Sequence, residues 1–79
     1  MKEIAQQIIQ LGKLIGKKVF IKHYSFNGYY YNDSEYIEEF TVEDFENYAY
    51  DLLNQEIKIL EIKYTKKFGS YYLITFKDL

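Results

Sequence analysis

Over residues 2–15 the apolar positions recur every three or four residues. At 100° per residue, Ile4, Ile8, Leu11 and Ile15 share one face of a helix, with Leu14 and Ile9 at its margins. Lys2, Glu3, Gln6, Gln7, Gln10 and Lys13 occupy the other side. Gly16 is the expected stop, because a left-handed backbone costs glycine nothing. Gly12 falls on the flank beside Ala5, where a helical glycine costs about 1 kcal/mol against alanine. Close approach of another backbone is the expected reason.

The period then changes. Two β-forming runs, residues 18–26 and 29–31, flank Asn27-Gly28, the dipeptide that a two-residue type I′ hairpin turn demands. Such a turn sets Phe26 opposite Tyr29, Tyr24 opposite Tyr31 and Lys22 opposite Asp33. Val19, Ile21 and Tyr36 then share the core-facing side. The alternation lapses at Asn32, Asp33 and Ser34, which predicts a break or bulge in the second strand.

Helical spacing returns at Phe40. Thr41 is placed as N-cap, with Asp44 at N3 completing a capping-box arrangement and Phe40 and Phe45 at the staple positions. Val42, Phe45, Ala49, Leu52 and Leu53 make the expected buried stripe, ending near Asn54. Residues 57–66 read as a strand whose phase slips, Ile57 and Ile59 pointing one way and Leu60, Ile62 and Tyr64 the other. A bulge near Ile59 follows. After a turn at 66–70, Tyr71–Lys77 places Tyr72, Ile74 and Phe76 on one face.

The expected fold is α+β, a single domain over residues 1–79, with element order αββαββ. Two helices pack on one face of a four-stranded antiparallel sheet. The two halves form a pseudo-repeat of αββ. A shift of 41 residues brings Ile21-Lys22 onto Ile62-Lys63 and Leu11 onto Leu52.

Composition sharpens this picture in two ways. Without cysteine there are no disulfides to staple so small a chain, which leaves a well-filled aromatic core, for which ten Tyr and six Phe are available, or self-association. Arg and Pro are absent while Lys, Ile, Tyr and Asn abound, the alphabet of an AT-rich coding genome.

Charge matters more. The net −2 conceals nine of the twelve acids within residues 33–56, a stretch without Lys, Arg or His, while all ten Lys lie outside it. Segregation of this kind speaks to partners. No apolar run reaches the ~18 residues of a membrane span and no signal-peptide pattern opens the chain, so the expected location is cytoplasmic, away from membranes.

Enzyme chemistry lacks its players. His23 is the single histidine, no Cys–His pair is available, and neither a glycine-rich phosphate loop nor metal-ligand spacing occurs. The expectation is a non-enzymatic protein with no cofactor and no metal.

The acidic stretch has a bland explanation, a solvated surface with carboxylates placed favourably at a helix N-terminus for ~0.3–1 kcal/mol each. That accounts for Glu43, Asp44 and Glu46. A helix built for stability alone would also set Lys four residues after its acids; here those positions hold Asn47, Tyr48 and Tyr50. Once Asp44 is assigned to the cap, the candidate partner-binding residues are Asp33, Glu35, Glu38, Glu39, Glu43, Glu46 and Tyr50.

Carboxylates interleaved with Tyr suit a partner protein with a basic, nucleic-acid-binding surface, occupying the places of phosphates and bases. In size, charge and composition the chain resembles the small acidic proteins of phages and plasmids that inhibit host nucleases or CRISPR effectors. The resemblance implies a phosphate-mimicking inhibitor.

Two alternatives use other residues. Lys17, Lys18, Lys22, Lys63, Lys66 and Lys67, near Tyr24, Tyr29, Tyr30, Tyr31 and Tyr71, fit a sheet platform for single-stranded nucleic acid. Overall acidity and the lack of Arg weigh against it. Self-association, acidic pole to basic pole or through the Ala5/Gly12 flank as a homodimer, is the third.

Overall fold

A computed structural model describes residues 2–24, 32–67 and 69–79, with the side chains of Asn32 and Asp33 outside that description. The elements are α1 (Lys2–Gly12), β1 (Val19–Tyr24), β2 (Asn32–Ile37), α2 (Val42–Leu53), β3 (Ile57–Thr65) and β4 (Tyr71–Asp78). The fold is α+β in the order αββαββ, two helices with a four-stranded sheet.

The sheet is mixed, not antiparallel throughout. Its strand order is β2-β1-β4-β3, and β1 and β4 pair in parallel. Burial explains the arrangement. β1 and β4 carry Val19, Ile21, Ile74 and Phe76, all core residues, and take the two interior places. β2, polar in its first half, and β3, which buries Ile57 but carries Lys58, Glu61 and Lys63, are left at the edges, where strands with unpaired backbone are best charged. Each edge strand forms an antiparallel pair with its interior neighbour. Because α2 reverses the chain between the two pairs, β1 and β4 run the same way. The pseudo-repeat is therefore one of element order only, since β1 is interior and its counterpart β3 an edge.

Register departs from expectation by one residue. Lys22 lies opposite Ser34, and Asp33 opposite His23. Val19 accordingly pairs with Ile37, while Tyr36 pairs with Phe20 on the opposite face of the sheet. A single-residue slip exchanges faces in this way. The Asn27-Gly28 turn, which carried the expected register, lies outside the described residues. β2 pairs without interruption through Asn32, Asp33 and Ser34, so no break occurs there. The bulge in β3 is present, between Ile59 and Glu61.

α1 is shorter than its periodicity suggested. After Gly12 the chain tightens into i→i+3 bonds, Leu14 N–H to Leu11 O and Ile15 N–H to Gly12 O. The phase change drives Leu14 into the core and leaves Ile15 exposed; Ile9, within α1 at the margin of its apolar face, is also exposed. Gly16 takes the left-handed conformation expected of a stop, φ 85°. Gly12 faces a side chain and not a backbone: a Cβ there would lie 3.5 Å from the Phe45 ring, an ordinary contact.

Both helices cover the same side of the sheet. Leu11, Leu14, Phe40 and Leu52 pack with Val19, Ile21, Ile57, Ile74 and Phe76 in one cluster. The Gln7 amide oxygen accepts from the Ile59 N–H at 2.9 Å, tying α1 to β3 beside the bulge. His23 Nε2 and Asp78 Oδ1 bond to each other, joining β1 to the end of β4. No described helix covers the reverse side of the sheet.

Candidate protein-docking face

The acidic stretch is held at one fixed point. Phe40 is fully buried; its N–H donates to Lys17 O at 2.8 Å and its carbonyl accepts from Gly16 N–H at 2.7 Å. These bonds clamp the approach to α2 against the turn that follows α1. Glu38 and Glu39, just before the clamp, project into solvent.

α2 then starts as its sequence dictates. The Thr41 hydroxyl accepts from the Asp44 N–H at 3.0 Å and the Asp44 carboxylate accepts from the Thr41 N–H at 2.9 Å, a complete capping box. Asp44 is thereby structural. At the far end, Gln55 N–H bonds to Leu52 O and Glu56 N–H to Asp51 O, a Schellman closure with Gln55 at φ 55°. Both ends being tied, the outward face of α2 is a rigid surface.

That face contains more than carboxylates. Val42 and Leu53, expected in the buried stripe, are each 54% exposed, beside Tyr50 at 65%. The inner arc is instead Tyr48, Leu52, Phe45 and Ala49, with Tyr48 stacked on Phe76. A buried arc of about 100° has room for Tyr48 or for Leu53, and tertiary packing chose the aromatic. At 100° per residue Val42, Leu53, Glu46, Tyr50 and Glu43 fall in order over about 100°, a stripe that borders the inner arc at Ala49 and runs outward to Glu43. Two exposed aliphatic side chains and Tyr50 thus share one stripe with two carboxylates.

The remaining candidates lie off α2, on β2 and the segment that follows it, and β2 is the sheet edge opposite β3. Glu35 is exposed on edge strand β2 opposite core residue Ile21, which puts it on the helix side of the sheet. Asp33 shares that strand, opposite His23. Among the described residues no ion pair engages Glu35, Glu38, Glu39, Glu43 or Glu46. Val42 and Leu53 are the members that sequence reasoning placed wrongly. The only signal for them was competition with Tyr48 for the same buried arc.

Among the described residues no group of three or more His, Cys, Asp or Glu side chains is arranged to hold a metal ion, and no helix is long and apolar enough to cross a membrane. The chain matches no family model, and comparison with curated proteins and with solved structures finds no match.

Proposed function

We propose that the protein works by docking the outer face of α2 onto a basic surface of another protein, without catalysing a reaction. The carrying observation is the stripe Val42, Leu53, Glu46, Tyr50 and Glu43, exposed on a helix capped at both ends and lacking counter-charges among the described residues. Exposed Leu or Val singly means little, but apolar anchors in register on one helical face are how a helix enters a groove. Tyr50, the most exposed of the three at 65%, is the residue type that hot spots favour. The carboxylates select a cationic rim and speed encounter.

A partner whose groove ordinarily holds nucleic acid has both properties, a cationic rim and an apolar floor for bases. In that case the protein acts as a phosphate-mimicking inhibitor. The test is affinity capture from a bacterial lysate with the wild-type chain and with Glu43→Lys/Glu46→Lys in parallel. A partner held at low salt, released by single-stranded DNA and absent from the folded double variant supports the proposal. Equal capture by both chains moves the site elsewhere.

A further inference from the structure

The side of the sheet away from the helices has the opposite character. One row across the four strands is Tyr36, Phe20, Leu73 and Lys63; another contains Tyr24, Lys77 and Lys58. The Phe20 and Tyr71 rings lie 6.0 Å apart, centroid to centroid. Phe20, Tyr36, Tyr71 and Leu73 floor a groove of about 680 Å³, with Lys18 and Lys22 on its wall. Lys18, Lys22, Lys58, Lys63 and Lys77 carry the charge of this face, opposed among the described residues by Glu61.

Stability does not account for this pattern. Lys58 sits directly opposite Lys77 in the antiparallel β3–β4 pair, a like-charge placement that weakens a sheet. Among the described residues none of the five lysines makes an ion pair. Edge protection would explain lysines on β3, yet Lys22 and Lys77 belong to the interior strands.

An aromatic groove bordered by uncompensated cations, its Phe20 and Tyr71 rings inclined at 44°, complements a polyanion that carries exposed ring faces. We propose that the open sheet face binds single-stranded nucleic acid, bases stacking on Phe20, Tyr36 and Tyr71 and phosphates meeting Lys18, Lys22 and Lys63. Stacking requires unpaired bases, so duplex is excluded from the floor. Lysines without arginine provide charge without bidentate base reading, so the binding is tolerant of sequence. This site shares no residue with the α2 stripe and stands or falls independently of it.

The experiment is fluorescence anisotropy with a labelled 20-mer oligothymidylate. With three to five phosphates neutralised, at a slope of about −0.7 per phosphate, affinity falls about 15- to 130-fold between 50 and 200 mM salt. Tyr36→Ala, at an exposed position, weakens binding about tenfold, the scale of one lost stacking contact. Lys22→Gln/Lys63→Gln flattens the salt slope by about 1.4. Glu43→Lys/Glu46→Lys leaves binding intact or tightens it. The proposal is overturned by no binding at 50 mM salt, by equal affinity for a duplex of the same length, or by unchanged affinity in a Tyr36→Ala/Lys22→Gln/Lys63→Gln chain shown to be folded by circular dichroism. A concentration-dependent dimer in sedimentation that Lys22→Gln/Lys63→Gln dissolves assigns the face to a second copy, and equally overturns it.

Discussion

The ring of Tyr48 lies on the ring of Phe76, centroids 4.6 Å apart and planes within 5° of parallel. The Phe40 ring lies 6.2 Å from the same tyrosine, centroid to centroid. This contact seats α2 on the interior strand β4 and decides which flank of the helix faces solvent. Aromatic pairs contribute about 0.5–1.5 kcal/mol beyond the area they bury. Tyr48→Ala is therefore expected to cost about 3 kcal/mol, a large part of the ~4–12 kcal/mol such a chain possesses. Urea denaturation reads it as a lower midpoint at unchanged slope.

Gly12 supplies a prediction of opposite sign. It ends α1, and a Cβ there would touch the Phe45 ring at an ordinary distance. Gly12→Ala is expected to stabilise by about 0.5–1 kcal/mol, through the smaller backbone entropy lost on folding. At this chain length that raises the melting temperature by roughly 2–8 °C.

Gln55 is the described non-glycine residue in the left-handed region, at φ 55°, in the Schellman closure of α2. That position costs a side-chain-bearing residue roughly 1–2 kcal/mol that glycine does not incur. Gln55→Gly should raise stability by about 1 kcal/mol in thermal or urea unfolding. The gain is smaller than the full strain because glycine makes the unfolded chain more flexible.

Local signals and long-range ones fared differently. The capping box at Thr41 and Asp44, the left-handed Gly16 and the bulge after Ile59 were legible because each depends on residues within a few positions of one another, although α1 itself ends earlier, at Gly12. The parallel pairing of β1 and β4 was not, since it follows from which strands compete best for the interior, a comparison among Val19, Ile21, Ile74 and Phe76 on one side and Asn32, Ser34, Lys58 and Lys63 on the other. The register of β2 failed because it was drawn from a turn type, and one residue of slip moves Tyr36 from the helix side to the open face. At the docking stripe, the acids and Tyr50 were visible as an uncompensated run. Val42 and Leu53 were hidden, because periodicity alone cannot say whether they or Tyr48 reach the core.

The apolar half of the stripe offers the most direct test of the docking claim, because removing it leaves net charge unchanged. Val42→Ser/Tyr50→Ala/Leu53→Ser alters only side chains at least half exposed, so the fold is expected to persist. Isothermal titration of the captured partner with this variant should show at least a tenfold weaker affinity than wild type, the loss of at least 1.4 kcal/mol from anchor residues. Wild-type affinity in the folded triple variant would contradict the account, leaving the acids of α2 as a solvated surface or a charge-only contact.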